Sequence, residues 1–297
     1  MDESEIVNVL RVGLAVAVFS YASVLDWRTR RIGNKYWVLL TGAGVALIPV
    51  QIVIDDRPLW YAVTLLPVLA ILIDVYSEFK EGTALAKLAP IASYGFAVAS
   101  VLCLGIVYWN EPGFGSYIAV PAMILLIVVL YMLDVVRGGA DAKALIALSV
   151  LFPVRPLIGP LPLMYSASAA VDSWLPFSFI VLFNASVFTL LVPLALLLRN
   201  ALTGNMRLPY ALVGYLTDAA TLKGKHVWLM EHMTERGHEM HMRPRRSEDL
   251  EAEASKLIEA GHARVWVTPK IPFVVFLLAS IVFTVVLGNL LVLLLPY

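Results

Sequence analysis

The chain has 297 residues, of which 60% are hydrophobic and 15% are charged. A soluble globular protein is nearer half apolar and about a quarter charged, so the composition predicts a polytopic membrane protein. Equal numbers of acidic and basic side chains, 22 of each, leave no net field that would attract nucleic acid. The single cysteine, Cys103, excludes an internal disulfide and a multi-cysteine metal site.

Eight apolar runs are candidates for membrane spans, because a helix needs about 20 residues to cross the hydrocarbon core. The first run follows an acidic segment without a cleavage site and is expected to be a retained span. The third is short and carries Asp74 near its end, and prolines in the sixth predict a helix stop near Phe152. The runs cover roughly residues 6–25, 36–54, 59–76, 90–109, 117–136, 142–165, 175–198 and 271–295.

Lysine and arginine gather in the loops after the first, third, fifth and seventh runs, whereas the alternate loops hold only Arg57 and Arg155. Positively charged loops stay in the cytoplasm, so the pattern predicts cytoplasmic basic loops and external termini in a multi-pass protein of the cell membrane. The densest short cluster, after the first run, comprises Arg28, Arg30, Arg31 and Lys35.

Residues 200–268 are the one sizeable polar segment. Three stretches in it alternate like short strands. Ser247 is suited to cap a helix and Gly261 to end it. The strand-like stretches are 226–230, 238–242 and 263–267.

The predicted fold is therefore an all-α polytopic membrane protein of about six to eight transmembrane helices with a small cytoplasmic α+β domain. Residues 1–199 form the membrane domain, 200–268 the cytoplasmic domain and 269–297 a C-terminal transmembrane helix.

Two aspartates border these runs. Asp26 ends the first run, and Asp141 begins the sixth, directly after Gly138, Gly139 and Ala140. Four runs separate the acids, so both carboxyls are expected at the same, cytoplasmic, end of the membrane. An acid beside membrane segments is read first as functional. Taken singly, Asp26 could be an interfacial partner of an arginine and Asp141 an N-cap, but the combination favours a functional pair.

Two carboxylates held close together share one proton, because both cannot be ionised cheaply. The ionised one can then deprotonate a water while the protonated one donates to the carbonyl oxygen of a scissile amide. Such hydrolysis needs no metal and no cofactor. The sequence contains no nucleophile elbow, no His-Glu-x-x-His and no phosphate-binding glycine loop.

Two short motifs, residues 26–34 and 138–143, resemble the signatures of type IV prepilin-like peptidases, in particular the archaeal preflagellin (prearchaellin) peptidases; residues 265–273 are similar to the end of that archaeal group. The resemblance implies a membrane aspartic peptidase with Asp26 and Asp141 as its catalytic pair. It implies removal of a short basic leader from archaellin- or pilin-like precursors at the cytoplasmic face. The other motif residues, expected to support the pair, are Gly138, Gly139, Ala140, Lys143, Asn34 and Arg28.

The chain departs from the family pattern in three ways. Ala140 replaces the second glycine of Gly-x-Gly-Asp, and a positive φ would be disfavoured there. About two more spans lie between the motifs than in compact archaeal members. The cysteine pairs of many bacterial relatives are absent, so we expect peptidase activity without N-methylation.

Two other functions use paired acids in membranes. Presenilin-like or signal-peptide-peptidase-like proteases carry a Tyr-Asp and a Pro-Ala-Leu motif, but Asp26 follows Leu25 and no Pro-Ala-Leu occurs. A proton-coupled transporter would place its acids at the midplane between related halves, whereas Asp26 and Asp141 lie near one membrane edge.

The remaining candidates are weaker. Asp134 could tune the pair if one helix continued through to Asp141, although the glycines predict a break. Lys143 and Arg137 more simply mark the cytoplasmic side. The histidines lack ligand spacing for a metal and are expected on a solvated face. They are His232, His238 and His241.

Overall fold

The computed structural model describes residues 2–76, 84–136, 138–164, 175–234, 237–242 and 250–294. Within these ranges, six helices are long and apolar enough to cross a membrane. The chain forms two compact units, a membrane unit (Met1–Ser186 with Pro272–Tyr297) and a strand unit (Val187–Ile271). The predicted class, a polytopic helical membrane protein with a small α+β domain, is confirmed.

Five helices open the membrane unit and match the first five predicted runs. The first is capped by Asp2, whose Oδ1 accepts the N–H of Glu5 at 2.7 Å and so satisfies one of the free amides of a helix start. The helix bounds are Glu3–Thr29 (α1), Asn34–Ile54 (α2), Leu65–Tyr76 (α3, preceded by a 3-10 helix at Leu59–Thr64), Ala84–Val107 (α4) and Phe114–Met132 (α5).

The sixth run does not form a membrane-crossing helix, in line with the stop that its prolines predict. Its helix, α6 (Gly139–Leu151), has 13 residues and is about 20 Å long, too short for a hydrocarbon core about 30 Å thick. From Ala144 to Leu151 every residue of α6 is buried, and a Cβ at Gly44 of α2 would lie 2.7 Å from the carbonyl oxygen of Val150. Protein rather than lipid therefore surrounds α6. The helix ends before Phe152, which confirms the predicted stop.

The seventh run contains two helices, α7 (Phe177–Thr189) and α8 (Leu191–Leu202). The break between them lies at Leu190. Taken as one segment of 26 residues, they are long enough to cross a membrane.

The strand unit holds a three-stranded antiparallel sheet in the order β1-β5-β2 and a separate β3-β4 hairpin. Strands β2, β4 and β5 confirm the predicted stretches, whereas β1 and β3 were not predicted. The helix α9 (Leu250–Glu259) packs Ala254 and Leu257 into the core of this unit, and Gly261 follows it with φ of 90°. The predicted cap, Ser247, lies outside the described residues. The strands are Tyr215–Asp218 (β1), Val227–Leu229 (β2), Glu231–Thr234 (β3), Gly237–Met240 (β4) and Arg264–Pro269 (β5).

The last predicted span, 271–295, is shorter in the structure. Its helix α10 (Phe273–Val286) has 14 residues and is followed by a 3-10 helix, Leu290–Leu294. Between the two, Gly288 has φ of 117°, a conformation that a helix cannot continue through and that glycine adopts most readily. The Met164 N–H donates to the Leu287 carbonyl at 2.8 Å, so a neighbouring segment takes the place of the next helical turn.

Candidate functional site

Asp26 lies in the last turns of α1. The helix has 27 residues and is about 40 Å long, which exceeds the roughly 30 Å of a hydrocarbon core. The helix is therefore longer than a span needs, and Asp26 is three residues from its C-terminal end. Arg30 ends the helix in a left-handed conformation (φ 55°), and its N–H donates to the Asp26 carbonyl at 3.1 Å. The Asp26 side chain is half-buried.

Asp141 lies in the first turn of α6. Gly138 occupies the N-cap position, so the alternative that Asp141 caps this helix is wrong. The preceding helix ends at Met132, and Asp134 adopts a left-handed conformation (φ 57°) in the loop that follows. The predicted break between Asp134 and Asp141 is confirmed, although it begins before the glycines. Asp134 is exposed.

Gly138 is the motif residue with the strictest steric requirement. A Cβ built there would lie 2.9 Å from the Asp141 Cγ and would overlap Oδ2 more closely still. At Gly139 a Cβ would meet only the Tyr131 hydroxyl, at an ordinary 3.7 Å. Ala140 is helical and is not among the described residues with positive φ, so its replacement of a glycine costs no backbone strain.

A hydrogen bond and a ring contact of Lys143 connect the start of α6 to its neighbouring helices. Lys143 Nζ donates to the Asn34 Oδ1 at 3.0 Å and lies 5.7 Å from the centre of the Tyr76 ring. Asn34 begins α2 and Tyr76 ends α3, so the starts of α2 and α6 and the end of α3 meet at one end of the unit. A short loop connects α2 to the end of α1, which brings Asp26 to the same end.

The surroundings of the two aspartates differ in how far they enclose the carboxyl. Burial, and secondarily the charge of Asp26, raise the pKa of the Asp141 carboxyl to about 7. Asp26 is less enclosed than Asp141. A carboxyl that stays protonated near neutral pH can act as the acid in amide hydrolysis, and a second carboxyl near it can act as the base.

Sequence reasoning missed Arg30, which was grouped with the topology-determining arginines. Its exposed neighbour Arg31 belongs to that group. Arg30 differs because its Nε and Nη1 are buried and form no hydrogen bond to any described residue. Nothing in the local sequence separates the two arginines, since the left-handed turn that folds Arg30 back is a property of the helix end.

Sequence reasoning also missed Arg11, a cation within the first apolar run. Arg11 is fully buried and donates to the Gln51 Oε1 at 2.9 Å and to the Leu47 carbonyl at 3.0 Å. Gln51 in turn donates to Asp55 at 2.7 Å. Arg11 belongs to the first half of α1 and Asp26 to its last turns, so this network lies away from the aspartates. The position of an arginine inside an apolar run was the available signal.

The histidines of the strand unit engage carboxylates. His238 Nε2 lies 2.9 Å from the Glu231 Oε2, and His232 Nδ1 lies 3.3 Å from the Glu253 Oε2. His232 is buried, so the expected solvated face is wrong for that residue. Among the described residues, no group of three or more His, Cys, Asp or Glu side chains is placed to hold a metal ion.

Comparison with known proteins identifies similarity along most of the chain. Residues 206–290 match the family described as Archaeal Peptidase A24 C-terminus Type II. A preflagellin peptidase of Methanococcus voltae is 27% identical over 205 residues, which cover 66% of this chain and 83% of that protein. An uncharacterized protein of Methanocaldococcus jannaschii is 24% identical over 275 residues, 90% of this chain and 88% of that protein. No solved structure matches.

Proposed function

We propose that this chain, which belongs to the archaeal preflagellin peptidase family, is a membrane aspartic endopeptidase that removes the short basic leader from archaellin- or pilin-like precursors. The observation that carries the proposal is that the end of α1, with Asp26, and the start of α6, with Asp141, lie at one end of the membrane unit, where Lys143 of α6 donates to Asn34 of α2. The matched family model covers residues 206–290 and contains neither aspartate, so the catalytic assignment depends on the geometry of the pair.

The environment of the pair supports hydrolysis without a covalent intermediate. A protonated Asp141 can donate to the carbonyl oxygen of an amide, and an ionised Asp26 can accept a proton from the attacking water. Removing either carboxyl leaves one of these transfers without a partner. We therefore expect both Asp26 and Asp141 to be indispensable.

The location of the pair fits a leader peptide. Basic loops follow the first, third and fifth apolar runs and favour a cytoplasmic position for this end of the unit. A precursor with a basic leader and a following apolar segment would keep the leader in the cytoplasm and insert the segment into lipid. Its scissile bond would then lie at the membrane boundary, at the depth of Asp26 and Asp141.

The test is co-expression of the full chain with an archaellin-type precursor, followed by mass spectrometry of the precursor. The variants are Asp26→Asn and Asp141→Asn, and Asp134→Asn is the matched control because that acid is exposed and outside the helices. We expect leader removal by the unaltered chain and the control, and none by the two catalytic variants. Full leader removal by both catalytic variants would refute the proposal.

A further inference from the structure

The loop between α8 and β1, residues 203–214, exposes large apolar side chains. Met206, Leu208 and Leu212 are 50%, 63% and 36% exposed. The loop follows the apolar helix α8, whose last residue, Leu202, is 79% exposed. Singly exposed apolar residues are normal, but a cluster of them indicates a surface that contacts another molecule or a membrane.

The loop is held in one conformation by Asn200. This side chain is buried, and its Nδ2 donates to the carbonyls of Ala211 and Gly214 at 3.0 and 2.7 Å. The Asn205 N–H donates to the Asn200 carbonyl at 2.8 Å. The exposed apolar side chains therefore belong to an ordered loop that is fixed to the last turn of α8.

Two arginines lie in or beside the loop, and each is placed over an aromatic ring. The Arg199 Cζ lies 3.7 Å from the centre of the Tyr215 ring, and the Arg207 Cζ lies 5.3 Å from the centre of the Tyr210 ring. Both arginines are exposed, and among the described residues neither forms an ion pair with a carboxylate. No aspartate or glutamate occurs between residues 199 and 217. A stacked guanidinium can still bind an oxygen anion through its N–H groups, so this segment favours a negatively charged ligand.

Lys270 adds a third cation at the same end of the sheet. Its Nζ lies 5.4 Å from the centre of the Trp228 ring, and α10 begins three residues later, at Phe273. Because β1 and β5 are antiparallel, β1 begins where β5 ends, with Tyr215 opposite Val267. The two connections of the sheet to apolar helices therefore lie at one end of it, and each carries a cation over an aromatic ring.

We infer that this end of the strand unit is a binding site for anionic phospholipid. The exposed apolar side chains of the loop insert at the level of the lipid headgroups, and the three cations bind headgroup phosphates. Segments that lie on a membrane surface combine apolar side chains with lysine and arginine in this way, and tyrosine and tryptophan rings favour the same depth. A free phosphate ion would engage the cations but leave the apolar side chains in water, so the lipid is the ligand that fits both.

The site is independent of the proposed peptidase function, since it contains neither aspartate of the pair. It attaches the strand unit to the bilayer surface by non-covalent contacts in addition to its two chain connections. Each cation close to an anionic membrane surface strengthens the association by about fivefold.

The experiment measures the contact of the loop with lipid by fluorescence quenching, using the full chain in liposomes. Cys103→Ala removes the single cysteine, and a fluorophore is then attached through Leu208→Cys or, in a second protein, through Met206→Cys. Ala260→Cys is the matched reporter, because this residue is exposed just after α9. The liposomes are phosphatidylcholine with a small fraction of either spin-labelled phosphatidylcholine or spin-labelled phosphatidylglycerol as the quencher.

We expect both quenchers to act on the two loop reporters and to have little effect on the reporter at residue 260. The anionic quencher should act on the loop at a concentration about fivefold or more below that of the neutral one. Removing the two loop arginines together, by Arg199→Gln with Arg207→Gln, should abolish most of this preference. Lys223→Gln with Lys256→Gln is the matched control, since it removes the same charge from exposed positions elsewhere in the strand unit, and it should leave the preference unchanged.

Three results would overturn the inference, whether or not the chain cleaves a precursor. The first is quenching of the loop reporters no stronger than that of the reporter at residue 260, which would show that the loop does not insert. The second is a preference for the anionic quencher that persists without Arg199 and Arg207. The third is an equal loss of that preference in the control pair, which would show only a general effect of charge.

Discussion

Gly138→Ala tests whether the glycine before α6 is needed for space or for backbone freedom. Gly138 has φ of −98°, which any residue can adopt, so the substitution introduces no backbone strain. The new Cβ would lie 2.9 Å from the Asp141 Cγ and overlap Oδ2. The Asp141 carboxyl must therefore turn away or α6 must shift.

The expected loss follows from the size of this displacement. Relieving the overlap requires a movement of about 1 Å, and a misplacement of that size in an active site costs about 100-fold in rate. The strain on the fold is smaller, about 1–3 kcal/mol for one added methyl group in a packed position. Activity should thus fall far more than thermal stability.

The assay is the initial rate of leader removal from a purified precursor, with the unfolding midpoint measured in the same detergent. Gly139→Ala is the matched comparison, since its Cβ would meet only the Tyr131 hydroxyl at 3.7 Å, and we expect a much milder loss. Equal rates for Gly138→Ala and Gly139→Ala would refute the steric argument for Gly138.

Two further predictions concern stability. Asp141 has a pKa of about 7 in the folded chain against 3.8 ordinarily, so the fold favours its protonated form and loses stability as the pH rises from about 4 to 7. At about pH 8 the free energy of unfolding of Asp141→Asn should therefore exceed that of the unaltered chain, by on the order of a few kcal/mol at most, and its unfolding temperature should be higher. The difference should shrink towards pH 5. A pH-independent difference would contradict this reasoning. The Lys143–Asn34 hydrogen bond is exposed, so a double-mutant cycle with Lys143→Met and Asn34→Ala should give a coupling of about 0.5–1 kcal/mol, and a coupling of zero would show that the contact does not hold α6 in place.

Sequence analysis could select Asp26 and Asp141 because acidic residues are unusual beside the apolar runs of a membrane protein. Asp26 and Asp141 each border an apolar run, and counting the runs between them predicts the same membrane end. The sixth run is not a span, but this does not change the prediction. The prediction depends only on the number of spans between Asp26 and Asp141, and the sixth run follows Asp141. The structure places helices α2 to α5 in those four runs.

Other features depended on tertiary contacts that no local pattern records. Strand β3 was not predicted because Glu231 and His232 are polar, yet both are buried. Glu231 accepts the N–H of Trp266 at 2.8 Å and also pairs with His238. These partners lie elsewhere in the chain, so a period-two hydrophobic pattern could not have identified the strand.

The short length of α6 accounts for the burial of Asp141, to which the proposed mechanism assigns the acid role. A helix that crossed the bilayer would present part of its surface to lipid, whereas α6 is enclosed by other helices and ends at Leu151. The enclosure supplies the burial that raises the pKa of Asp141 to about 7, and the space beside Gly138 admits its carboxyl. Asp26 instead stands at the end of a helix that is long enough to reach water, next to Arg30. The different lengths of α1 and α6 thus place the two carboxyls in unequal environments, as the proposed mechanism requires.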